Sequence, residues 1–333
     1  MSGVEDTAGP TRPTRPAWQS PATWRRWLRD YPLVPLTLLL LALVVVLWFA
    51  GSVNSVFVSN TIRAAVPLAI LAACQTLTML TGGIDLSVAT VASMAAYVVA
   101  SQAGPQGLVV AVVLALGASA LAGLVSGIGV GVFRVHPLIM TLGMGLIVLG
   151  ILTVYQRVNV ASGARVPPGI VWLGGGSTAG IPHSLLLFVP LAVVLMLGLR
   201  RSGYGRLLYA VGDNETAARL AGVRVWQVLI VLYVLSGVLA GIAGIAIAGY
   251  ANAANATLAD RYLLPSVAAA VIGGTSIFGG RGGYSGSIVG ALILTVLGTL
   301  LNVLQMAEPV RQILFGAIIL AVAAAYTRIT EES

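Results

Sequence analysis

Residues 33–51 read LVPLTLLLLALVVVLWFAG, and nine further apolar runs follow, none with more than one charge. They fall at 63–80, 87–103, 107–132, 137–156, 184–199, 226–250, 263–279, 286–305 and 309–327. Runs of this length cross a bilayer as helices of about twenty residues. In lipid every backbone polar group has to be satisfied within the chain, so helices are the solution left. The order of the runs predicts an all-α polytopic membrane protein with about ten transmembrane helices in one domain over 33–327. A segment 1–32 precedes it and a tail 328–333 follows. The eighth run is interrupted by Gly273 and Gly274.

Charge is scarce and one-sided. Charged residues make up 8% of the chain, hydrophobic residues 58%, and the mean hydropathy is +0.98. All the basic residues are arginine. Ten spans put both termini on one side, and most of the arginines then share that side. Among them are Arg12, Arg15, Arg134, the five of the loop Arg200–Arg224, and Arg281. The positive-inside rule makes that side the cytoplasm. The net charge of +8 therefore follows membrane topology and calls for no nucleic acid. Cys74 is the single cysteine, so there is no disulfide framework and no cysteine-based metal site. Residues 33–51 are not followed by a cleavage site, and the run reads as an anchor rather than a removed signal.

The loop RRSGYGRLLYAVGDNETAARLAGVR, from Arg200 to Arg224, interrupts the membrane pattern most clearly. Asp213 and Asn214 offer a helix cap, and Glu215 to Ala221 make about two turns. Glu215 and Arg219 stand at i,i+4 with the acid first, the favourable order. Gly222 is placed to end the helix in a left-handed conformation. Ala217, Leu220 and Ala221 share one face. A short capped helix with a small apolar face, set among arginines, is suited to docking a cytosolic partner; an ordinary positively charged inside loop is the alternative.

Other breaks lie inside the membrane pattern. Gly82, Gly83, Asp85 and Ser87 separate two apolar runs, and Asp85 is the only acid between Asp30 and Asp213. A carboxylate at membrane depth points to function by default. Asp85 or Ser87 alternatively caps the helix that starts near Leu86. The stretch Val271 to Gly286 carries seven glycines. It lacks the spacing and the lysine of a phosphate-binding loop, and close helix packing with a turn explains it. Gly123, Gly127 and Gly131 form a small-residue face for helix–helix contact. Gln75, Thr76, Thr78 and Thr141 are candidates to line a path, or else to bond their own helices. His136 and His183 stand beside prolines near span ends. No paired carboxylates, HExxH motif or Ser/His/Asp set is present, so the chain is read as a transport subunit without a catalytic site or cofactor of its own.

Read in order, LTGGIDLSVATVASM, PLIMTLGM, LLYAVGDNETAARLAGVRV and AVIGGTSIFGGRGG resemble the permease subunits of ribose-type ATP-binding cassette sugar importers, over about Leu33 to Tyr326. The resemblance implies a multi-pass protein of the bacterial cytoplasmic membrane, working as a dimer of two permease subunits, identical or paralogous. It implies a cytosolic ATP-binding cassette subunit docked on a coupling helix at Asn214–Gly222, and an extracytoplasmic sugar-binding protein that delivers the ligand. The rival reading is an ion-coupled secondary transporter of a small polar solute, which wants intramembrane acids and here finds only Asp85.

Overall fold

The computed structural model describes residues 33–49, 54–158, 164–307, 309–310, 312–314 and 316–317. The helices are α1 (Leu33–Phe49), α2 (Ser55–Leu80), α3 (Val88–Gln106), α4 (Leu108–Gly131), α5 (Pro137–Val158) and α6 (Pro168–Gly175). They continue as α7 (Ser184–Arg201), α8 (Gly203–Asp213), α9 (Glu215–Leu220), α10 (Val225–Ala251), α11 (Leu263–Ile272) and α12 (Tyr284–Val303). A hairpin of β1 (Ser177–Thr178) and β2 (Ile181–Pro182) stands between α6 and α7. Among the described residues the protein is thus an all-α polytopic membrane protein apart from that hairpin. Among the described residues, α2, α4, α5, α7, α10 and α12 are long and apolar enough to cross a bilayer. The expected tenth span, 309–327, lies mostly outside the described residues, as do the segment 1–32 and the tail 328–333.

Helix starts follow local chemistry. Asn54 caps α2, its side chain accepting from Phe57 N at 2.7 Å, and the helix begins eight residues before the run expected at 63. The eighth run is helical only to Ile272, because Gly274 adopts φ +86° and the chain turns there. α6 was not expected. It opens at Pro168, where a missing N–H costs nothing at the first helical position.

α10 is the centre of the molecule and runs against α2, α3, α4 and α6. Its contact with α4 is backbone against backbone. A Cβ on Gly123 would lie 2.1 Å from Tyr233 O, one on Gly127 2.8 Å from Ile230 Cα, and one on Gly131 2.9 Å from Trp226 O. Gly237 answers from α10, where a Cβ would sit 2.2 Å from Ser119 O. Without a hydrophobic driving force in lipid, such close approach supplies dispersion contact instead. α11 and α12 lie on α2, and α1 lies on α12. α5 buries a narrow face, Thr141, Met144, Gly145, Val148 and Leu152, against α3 and α4.

Candidate functional site

The Arg200–Arg224 stretch is more helical than a loop. α7 continues through Arg200 and Arg201, and Ser202 then accepts from Gly205 N at 2.9 Å to start α8. Asn214 is extended and breaks α8 from α9, its Oδ1 accepting from Ala217 N at 2.9 Å. At the far end Gly222 has φ +87°. Its N–H donates to Arg219 O at 3.0 Å, and Val223 N–H donates to Ala218 O at 3.1 Å, the paired bonds of a Schellman cap. The expected helix Glu215–Ala221 therefore exists, with Ala221 as its C-cap, and α8 is an addition to it. Leu220 is 86% exposed, Ala217 and Ala221 are exposed beside it, and Ala218 faces inward.

Glu215 bonds Arg219 on its own helix and Arg134 in the turn between α4 and α5. Partial burial works against the ionised carboxyl, but the hydrogen bonds and charges of the two guanidiniums outweigh it and hold Glu215 below its ordinary value. The pairs are therefore intact at neutral pH. Asp213, exposed at the end of α8, lies beside Gly280, where a Cβ would come 3.0 Å from Asp213 Cα.

The segment 81–87 folds back into the protein. Gly82 takes φ +75°, and the chain returns alongside the last turns of α2. There the Gln75 amide brackets the backbone of Asp85, Nε2 donating to Asp85 O at 2.8 Å and Oε1 accepting from Asp85 N at 3.3 Å. Asp85 is 2% exposed. Its Oδ1 accepts from Ser87 N at 3.0 Å and Ser87 Oγ at 2.6 Å, while Oδ2 accepts from Ser236 Oγ of α10 at 2.8 Å. Thr141 of α5 closes the other flank, accepting from Leu86 N at 3.0 Å. One carboxylate thus makes a local turn and bolts α10 to the start of α3. Thr78 bonds carbonyls of its own helix, at Cys74 and Gln75. Thr76 shares a hydrogen bond with Ser287 of α12 at 2.6 Å.

The glycine-rich stretch divides into two parts. Gly273 is buried where α11 crosses α12, and a Cβ there would lie 2.4 Å from Ser287 N. Gly274 takes the left-handed conformation of the turn that follows. Beyond it, Ser276 N donates to Arg281 O at 2.9 Å and closes a compact loop. Close packing plus a turn is what the sequence expected. Of the candidate path residues, Gln75, Thr78, Gly83, Asp85, Ser87 and Thr141 come together as a buried cluster, Gly273 is buried at the crossing of α11 and α12, Gly82 is exposed and Gly274 half-buried. Ser236 and Tyr233 belong to the same neighbourhood and had not been singled out, while Gly212, beside Leu80, stood out in the sequence only as part of the helix cap Gly212-Asp213-Asn214. Tyr233 and Ser236 sit in an unbroken apolar run, where only the glycines after them marked the face as close-packed.

At the opposite end of the helices, Arg63 donates to Gly175 O and so ties α2 to α6. His183 lies 4.0 Å from Trp172 ring to ring. Its Nδ1 lies 2.9 Å from Trp172 O, and its Nε2 2.7 Å from Thr178 Oγ. A carbonyl only accepts, so Nδ1 carries the proton and Nε2 accepts from the threonine. The histidine is thus a structural latch for the hairpin.

The family model described as branched-chain amino acid transport system / permease component matches residues 57–323. The chain is 34% identical to the ribose import permease protein of Escherichia coli, over 89% of this chain and 93% of that one. It is 31% identical to the ribose import permease protein of Bacillus subtilis, over 86% and 89% respectively. It is 33% identical to the fructose import permease protein of Rhizobium meliloti, over 87% and 82%. No solved structure matches it. The match takes in α3 to α12, with the glycine seam between α4 and α10 and the short helix α9, and the chain belongs to the family described as branched-chain amino acid transport system / permease component, as a relative of the ribose import permeases.

Proposed function

We propose that the chain is the membrane-spanning permease subunit of an ATP-driven importer that translocates a monosaccharide or related small polyol across the bacterial cytoplasmic membrane. The observation that carries this reading is the likeness to named sugar import permeases over 82–93% of their own lengths. The family description names branched-chain amino acids instead. The whole-length relatives decide between the two, being a closer comparison than a description that spans many substrates. A separate cytosolic ATP-binding cassette subunit hydrolyses ATP and docks on α9. An extracytoplasmic sugar-binding protein delivers the ligand, and a second permease subunit completes the membrane unit. Ten spans place both termini in the cytoplasm.

In this reading the subunit works by alternating access. Closure of the ATPase pushes α9, and α7 and α10, joined to the α8–α9 element at either end, tilt with it. The buried cluster of Asp85, Gln75, Thr78, Gly83, Ser87 and Thr141, with the exposed Gly82 beside it and the Gly273–Gly274 turn, forms the path or gate near the cytoplasmic end. The spans offer few aromatic faces or convergent polar groups of the kind a sugar pocket needs, so selection falls mainly to the delivering protein.

Two measurements test the proposal. Uptake of labelled ribose, fructose or galactose by cells expressing the three subunits is expected to stop on ATP depletion and to persist under a protonophore with ATP held constant. Collapse under the protonophore alone would establish the ion-coupled transporter instead. Topology is tested by labelling in a Cys74→Ala background. Ser177→Cys, in the hairpin, should react with a membrane-impermeant thiol reagent on intact cells. Arg201→Cys should react only after the membrane is opened. The reverse pattern would overturn the span count and the cytoplasmic placement of α9.

A further inference from the structure

Three stretches far apart in sequence meet at Gly212 with no side chain between them. A Cβ on Gly212 would lie 1.7 Å from Leu80 O, at the end of α2, and 2.7 Å from Gly280 N. Gly280 N itself donates to Leu80 O at 3.0 Å. A Cβ on Gly279 would lie 2.6 Å from Gly212 O. One turn earlier in α8, Tyr209 Oη donates to Gly282 O at 2.8 Å. The end of α8, the end of α2 and the 279–282 loop therefore touch main chain to main chain. Asn214, which caps α9, is two residues from this point in one direction. Asp85, bolted to Ser236 of α10, is five residues beyond Leu80 in the other.

Side chains at an interface absorb a small displacement by shifting rotamers, whereas close-packed backbone passes it on. We propose that Gly212 is a positioning residue, the joint through which α9 moves the 81–87 segment and the 279–282 loop together. The inference rests on the importer reading, since it assigns the push on α9 to a docked ATPase, and it adds the route by which that push reaches the gate. The route is physical contact along named backbone, and coupling along it is what an experiment has to show.

The test uses the permease purified with its ATPase in lipid vesicles and reads the 81–87 segment itself, without a sugar. Thr81→Cys in a Cys74→Ala background is labelled with a maleimide dye, with and without ATP. In this parent, ATP is expected to change the labelling rate at least threefold. With Gly212→Ala added, the ATPase should still co-purify and hydrolyse ATP, while the ATP-dependent change disappears. Gly198→Ala, where an added Cβ meets nothing within 4 Å, should leave the change intact. An ATP-dependent change that survives Gly212→Ala overturns the joint. Loss of ATPase co-purification in that variant also overturns it, by placing Gly212 in docking rather than transmission. Should Gly212→Ala fail to insert, Tyr209→Phe removes only the bond to Gly282, and the change should shrink at least twofold; an unaltered response rejects the joint. If no ATPase accompanies even the parent, the importer reading itself fails, a result distinct from all of these.

Discussion

Leu220→Asp is expected to abolish ATP-driven uptake while the permease still reaches the membrane. Leu220 is the large apolar side chain on α9, 86% exposed, with Ala217 and Ala221 beside it and Glu215 held by two arginines. An exposed leucine on a short rigid helix amid arginines is suited to insertion into an apolar groove, with the charges setting orientation. An aspartate there would be buried unpaired at the contact, costing on the order of 2–5 kcal/mol. That corresponds to a loss of affinity of roughly thirtyfold to several-thousandfold. Nothing inside the permease depends on the side chain, so insertion and the fold of α9 should survive. The check is co-purification of the ATPase with a tagged permease, alongside uptake. Wild-type recovery of the ATPase in Leu220→Asp would remove α9 as the docking helix.

Asp85→Leu is expected to eliminate the folded protein, and Asp85→Asn to spare it. The carboxylate satisfies Ser87 N, Ser87 Oγ and Ser236 Oγ, all buried. Leucine strands these donors, at about 1–3 kcal/mol for each one left without an acceptor. Two hydroxyls and one amide are involved, so the sum is a large part of a typical net stability. Asparagine keeps one carbonyl oxygen for Ser87, and its amide can donate to Ser236 once that hydroxyl rotates. If the bolt is a hydrogen-bonding device, Asp85→Asn should transport within about threefold of wild type, a loss worth less than about 1 kcal/mol. Abolished uptake by a well-inserted Asp85→Asn would instead show that the charge itself works in the gate.

Hydropathy located most of the membrane helices to within a few residues, because a bilayer leaves the backbone little choice once a run is long and uncharged. The runs expected at 107–132, 137–156, 184–199 and 226–250 became α4, α5, α7 and α10. α8 was missed for the opposite reason, since Arg206 within it and the arginines on either side read as loop. Tyr204, Leu207, Leu208 and Val211 recur at helical spacing, and that amphipathic signal was available. The cap at Asn214, the left-handed Gly222 and the Glu215–Arg219 pair were all legible, being set within a few residues of chain. Arg134 reaching Glu215, and Asp85 reaching Ser236, were not. They join positions 81 and 151 residues apart, and no local pattern encodes which serine a carboxylate will meet. Gly212 shows the same limit, since its neighbours Leu80 and Gly280 come together only when the helices do.

The bond between Asp85 and Ser236 also sets a waiting time. Ribosomes add roughly 5–20 residues per second, so 151 residues take on the order of 8–30 s to follow Asp85 out of the exit tunnel. During that interval α2 to α5 have entered the bilayer, while the partner of both the carboxylate and the glycine face of α4 has not been made. A half-built subunit thus presents an acid with one oxygen still without its partner, and an open seam, to lipid or to whatever insertion machinery shields it. The arrival of α10 closes both at once, which makes that helix the step at which a nascent chain commits to its final form.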